Sequence, residues 1–118
     1  MTIKLDGFEE FEMWLDDVPE SVEDIVHDSL LKSAMNVERK AKSLTPVDTG
    51  RLRGSINTDD KTAGKHIEIE VGTDVEYAEP VEFGTYKSSA QPFLNPAFNS
   101  EKEKILSDLN KAISRGLK

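Results

Sequence analysis

Between Glu20 and Leu44 the apolar residues Val22, Ile25, Val26, Leu30, Ala34, Val37, Ala41 and Leu44 recur at three- and four-residue intervals. That period belongs to the α-helix, so these side chains form one stripe and need an apolar partner along its whole length. Acids cluster early in the segment and Arg39, Lys40 and Lys42 late, the arrangement the helix macrodipole favours. Pro19 precedes the helix, where a missing N–H does no harm. Pro46 stops it, because the residue before a proline resists helical geometry. A helix of about 37 Å in a chain of 118 residues leaves room for a single domain. A chain of this size buries roughly two-thirds of its unfolded surface, enough for one core.

The remaining elements are shorter. Phe8, Phe11, Trp14 and Leu15 predict a short amphipathic helix over 8–15 within an N-terminal arm, 1–18. From His66 to Val71 the pattern alternates, with Ile67, Ile69 and Val71 on one face and Glu68 and Glu70 on the other. Ser55 to Asp60 can pair with it through a loop near Ala63-Gly64-Lys65, giving a hairpin over 55–72 that Gly72 closes. Residues 73–94 carry Tyr77, Phe83, Tyr86 and Phe93 among turn formers and read as a long, partly ordered loop. Loops of this length without structure of their own are usually functional or mobile. Asn95 followed by Pro96 suits the cap and first turn of a closing helix over 96–116. Its apolar face is Phe98, Ile105, Leu106, Leu109, Ala112 and Ile113, and Gly116 ends it. The predicted class is α+β: a long N-terminal helix, a small antiparallel sheet, a long aromatic loop and a C-terminal helix packed beside the first.

Composition narrows the chemistry. The chain has no cysteine, which removes disulfides and thiolate metal sites and fits a reducing compartment. The opening MTIKLDGFEEFEMWL is acidic where a signal peptide would be basic and apolar. No apolar run approaches the ~20 residues that cross a bilayer, so a soluble protein without a membrane partner is predicted. Charge falls in blocks: −9 over 1–28, +4 over 29–66, −6 over 67–82 and +3 over 83–118, within a net −8. Net acidity argues against nucleic acid as a tight partner, since phosphate contacts need a cationic surface. The alternation suits head-to-tail self-association, and equally a solvated surface.

No P-loop, dinucleotide fingerprint or HExxH pattern is present, and Gly64-Lys65 is followed by His66 rather than Ser or Thr. His27 and His66 have no neighbour at ligand spacing. Asn57, Asp59 and Asp60 hint at a calcium loop, but its sixth position is Thr62 where a glycine is needed. Glu68 and Glu70, with Asp74, could serve a small metal-dependent nuclease. Their spacing is also that of any half-exposed strand, and residues 67–82 contain no base. The reading is of a protein that is not an enzyme, with no cofactor, metal or catalytic residues.

The stretch TPVDTGRLRGSI, residues 45–56, is more particular. Thr45-Pro46 ends the long helix, Asp48 or Thr49 can cap the next turn, and Gly50 permits backbone angles other residues resist. In an extended stretch Arg51 and Arg53 share a face while Leu52 points to the core. Arginine there prefers planar carboxylate partners, and Glu76, Glu79 and Glu82 are on offer, within the chain or on a second copy. An intrachain surface salt bridge is the plain reading; an interface corner is the other.

Taken with VGTDVEYAEPVEFGT and AQPFLNPAF, in that order and spacing, this stretch resembles a family of tail components of long-tailed bacteriophages, known as tail completion or head–tail joining proteins. The likeness runs from Thr45 to Phe98. It implies structural work in the neck: copies adding around an axis as a ring, six in number, against neighbouring neck or tail proteins. DNA would meet the protein only in passage through the channel. The protein would lie in the virion, after assembly in the host cytoplasm. By the resemblance Asp48, Thr49, Gly50 and Arg51, with Arg53 beside them, then Tyr77, Glu82, Phe83 and Gly84, then Pro92 and Phe93, are candidate interface residues. Glu68 and Glu70 are candidates for an acidic channel lining. The alternatives are a tail-terminator ring, the nuclease, and a module that binds a host protein through the aromatic loop.

Overall fold

The computed structural model describes residues 1–6, 20–46, 50–64 and 66–116. In chain order the elements are strand β1 (Thr2–Asp6), helix α1 (Glu20–Leu44), the short helix α2 (Gly50–Ser55), strands β2 (Asn57–Asp60) and β3 (Glu68–Gly72), the short helix α3 (Ala78–Phe83) and helix α4 (Leu94–Gly116). The strands form one antiparallel sheet in the order β1-β3-β2. The α+β class and both long helices are as the sequence predicts.

The stripe of α1 is the spine of the core. Val22, Val26, Leu30, Ala34, Val37 and Ala41 are all buried, against Ile67 just before β3, Ile69 and Val71 from its inner face, and Leu94, Ala97, Ile105 and Leu109 from α4. The two long helices run antiparallel, so that Ile25 and Ser29 of α1 share a groove with Asp108 and Ala112 of α4. Burying one such aliphatic side chain contributes about 1.5–3 kcal/mol. The molecule is elongated, at 53 × 23 × 22 Å.

Two departures from the sequence expectations concern short elements. β1 is a strand where only an arm is expected, with Ile3 and Leu5 inward against Val71 and Ile69. Five residues hold too few repeats for the period to declare itself. The helix expected over 8–15 lies outside the described residues. The hairpin begins at Asn57 rather than Ser55 because Gly50–Ser55 is helical. It turns as expected near Gly64, whose φ of 59° suits glycine, with Ala63 and His66 paired across it.

Gly72 makes the third strand possible. It faces Thr2, and a Cβ on it would collide with the Met1 carbonyl oxygen and stand 2.7 Å from the Thr2 Cα. With no side chain there, β1 closes on β3, and the pairing continues past the strand as Thr73 N–H donates to the Met1 oxygen at 2.9 Å.

α1 is tied to the far edge of the sheet by a charge pair that sequence spacing does not announce. His27 Nε2 lies 2.5 Å from Asp60 Oδ2, and the other Asp60 oxygen accepts the Thr62 N–H at 3.0 Å. Hydrogen bonds from Thr62, then from His27, hold the Asp60 carboxyl down at about 2. The bond to Asp60 raises His27 above the ordinary 6.5. The two partners therefore act on opposite limbs of the pH range. Stabilisation from Asp60 is complete above its ordinary 3.8 and is lost as pH falls through about 2. Stabilisation from His27 is complete below 6.5 and is lost as pH rises through its raised value. The pair contributes fully between pH 3.8 and 6.5. We expect the wild type to lose melting temperature above neutral pH and His27→Gln to flatten that alkaline limb, as thermal scans across pH would read. Parallel curves for the two proteins would remove the pair as the cause.

Candidate assembly interface

The candidate site is the corner where α1 ends and α4 begins. Thr45 Oγ1 donates to the Ala41 carbonyl at 2.7 Å in the last turn of α1. Residues 47–49 lie outside the described set, Asp48 and Thr49 among them. α2 comes next and is anchored by Leu52, which is completely buried. Ser55 Oγ donates to the Leu52 carbonyl at 2.7 Å and meets Thr73 Oγ1 at 2.5 Å, joining α2 to the segment after β3.

Because 50–55 is a helix, Arg51 and Arg53 do not share a face as an extended stretch would place them; residues two apart point to different sides. Arg51 alone turns toward the aromatic segment. Its two Nη atoms donate to the two carboxylate oxygens of Glu76 at 2.9 and 3.0 Å. Its guanidinium carbon lies 5.4 Å from the centre of the Tyr77 ring. Hydrogen bonds from Arg51 lower the Glu76 carboxyl, and Glu76 raises Arg51 in turn. Both groups are exposed, so the pair acts through geometry: a planar fork and a ring face fix how α2 meets the start of α3. Of the carboxylates the sequence offers, the structure selects Glu76.

Glu82 does different work from the interface role expected of it. It is buried at 2 % exposure, and its carboxylate reaches across to the first turn of α4. Oε1 accepts the N–H groups of Phe93 at 3.1 Å and Leu94 at 2.8 Å, and Oε2 accepts that of Asn95 at 3.1 Å. The next residue, Pro96, has no N–H. The unpaired donors of the helix start are thus satisfied by one side chain and one proline, and the negative charge sits at the positive end of the dipole. The helix therefore starts at Leu94 rather than at Pro96, and the Asn95 cap expected from sequence is replaced by a residue more than ten positions upstream. Phe93, also a candidate interface residue, is wholly buried and plugs the core beneath that carboxylate.

Residues 73–94 are more regular than a long loop. α3 occupies Ala78–Phe83, and Gly84 ends it at φ 79° with its N–H on the Pro80 carbonyl at 2.8 Å. A Cβ on Gly84 would stand 2.7 Å from the Ala90 nitrogen, so both backbone angle and space call for glycine. A tight turn comes after it. Thr85 N–H donates to the Ser88 carbonyl at 2.8 Å, Thr85 Oγ1 accepts the N–H groups of Lys87 and Ser88, and Gln91 N–H returns to the Val81 carbonyl at 2.8 Å. This frame holds two aromatic rings in water: Phe83, 64 % exposed, and Tyr86, 94 % exposed at the tip. Pro92 is exposed beyond them.

Glu68 and Glu70 stand on the outer face of β3, half-buried, with Lys4 Nζ 3.9 Å from Glu68 and Asp59 opposite Glu70 in the sheet register. Among the described residues no group of three His, Asp or Glu side chains is placed to hold a metal ion, and no helix is long and apolar enough to cross a membrane.

The family model described as "Bacteriophage HK97-gp10, putative tail-component" matches residues 9–84. The chain belongs to this family. It is a structural component of the phage tail, and its place is the virion. The match takes in α1, α2, the β2–β3 hairpin and α3, including Arg51, Glu76, Tyr77 and Glu82, and it stops at Gly84, before the turn that carries Tyr86. No curated protein and no solved structure matches the chain.

The two acidic residues of this corner separate in a mutational test. Glu82→Ala leaves buried N–H groups unpaired and should destabilise the protein by ~3 kcal/mol or more, read as a lost melting transition or a large fall in denaturation midpoint. Arg51→Ala, which frees Glu76, should leave the melting temperature almost unchanged and impair assembly. A large fall in the monomer's melting temperature on Arg51→Ala would show a purely structural role.

Proposed function

We propose that the protein assembles as a ring of six copies at the head–tail interface, where it completes the tail or joins it to the DNA-filled head. The observation that carries this reading is the aromatic corner: a tail-component chain presents Phe83 and Tyr86 to solvent on a frame of α3, Gly84 and the 85–88 turn. Exposed aromatics held rigidly cost little entropy on contact, and such residues dominate binding energy in protein interfaces. Arg51, Tyr77 and Gly84 set the orientation of that corner, with Gly50, Arg53 and Pro92 on the surface around it. The partners are further copies and the adjoining neck or tail proteins, met in the host cytoplasm as the virion is built.

Electron microscopy of an induced lysate lacking this gene tests the assignment. Full heads lying apart from finished tails are expected. Tails of aberrant length would move the protein to the terminator ring, and intact infectious particles would remove the structural reading.

The acidic outer face of the sheet, with Glu68 and Glu70, is assigned to the channel. Negative charge there lets DNA pass without adhering, where a basic lining would bind phosphates. A reconstruction of the assembled neck should place both side chains toward the axis, and finding them turned outward would sink that assignment.

A further inference from the structure

A second surface complements the aromatic corner. Between β1 and α4 runs an apolar groove of 180 Å³, lined by Leu5, Leu30, Phe98, Ile105, Leu106 and Leu109. Leu106, 39 % exposed, offers the open rim of this groove, and the buried Leu5, Leu30, Ile105 and Leu109 form its floor. Lys4 and Lys102 line the same groove, and both are exposed. The aromatic corner carries the matching features: two exposed rings, and Glu79, exposed in the first turn of α3.

We propose that Phe83 and Tyr86 of one copy seat in the groove between β1 and α4 of the next, with Glu79 facing Lys102. The inference rests on the ring reading and names its interface. The two surfaces are different patches of one chain, made by different elements, so the contact is heterologous: each copy gives a knob to one neighbour and a groove to another. Such contacts propagate around an axis and close into a ring when the rotation per copy allows it. Opposite charge at the edge fixes which side of the groove α3 approaches. The occupant is a second copy of this chain because the chain itself supplies both the rings and the acid that the groove would receive.

The absence of cysteine makes a direct test possible. In the full chain carrying Tyr86→Cys and Leu106→Cys together, mild oxidation of assembled protein should give a ladder of linked copies ending at the ring number. Each single variant should give none, while the two mixed should give linked pairs. In parallel, Phe83→Ser with Tyr86→Ser should weaken association by about thirtyfold or more with the melting temperature retained. Leu106→Glu should do the same from the groove side. Assembly of the wild type with no ladder, or with the Phe83/Tyr86 variant unimpaired, overturns this interface and leaves the ring standing. Linked pairs from Tyr86→Cys alone overturn it in favour of a symmetric dimer through the corner. A wild type that stays monomeric both alone and with finished tails or connectors present overturns the ring and this contact with it.

Discussion

The Glu82 carboxylate beneath the start of α4 is the contact on which the rest of the structure depends. It accepts from three main-chain N–H groups of the helix start, and Pro96 removes the need for a fourth. Because Glu82 belongs to α3, this contact ties α3 to the start of α4. Phe93, seated beneath, adds apolar burial to the same joint. A buried carboxylate unpaired would be costly; one with three aligned donors at a helix dipole is not. The packing of α4 on α1, which closes the core, begins from that joint.

Fixing α3 has a consequence on its other side. The residues around Glu82 divide sharply: Ala78 and Glu82 are buried, while Glu79 and Phe83 face water. A helix of this length would not hold itself together in isolation. Its order comes from the buried carboxylate within and from Arg51, Glu76 and Tyr77 at its entry. The exposed rings are therefore presented by a segment whose conformation is set by the fold, before any partner is met. That is the condition under which surface aromatics bind at small entropic cost.

Much of this was legible in the sequence where a period had room to repeat. The α1 stripe, the alternation of β3 and the face of α4 each carry enough apolar positions to declare their geometry, and the α+β class comes from them. β1 and α2 are too short for that, and α3 hides further because Pro80 reads as a turn former although a first-turn proline suits a helix. The site was legible in part. Arg51 and its set of candidate carboxylates could be named, but choosing Glu76 needed the helical turn of α2. Glu82 and Phe93 could be singled out without their placement. A glutamate that caps a helix more than ten residues away leaves no local pattern, and a phenylalanine looks the same in sequence whether it plugs a core or stands in water. The His27–Asp60 pair was invisible for the same reason, its partners lying on elements far apart in the chain.

Around α3 the charges and rings divide between the core and the surface. Glu82, the acid most necessary to the fold, is the one removed from solvent, so it cannot be recruited by a partner. Glu68, Glu70 and Glu79, by contrast, hold no element's backbone through their side chains and reach solvent. The aromatic residues divide the same way, with Phe93 inward and Phe83 and Tyr86 outward across one glycine-ended helix. Substitutions at the outer set leave the buried contacts in place, and substitutions at the inner set do not. The corner around Gly84 makes that division over a short stretch of chain, from Glu79 to Phe93.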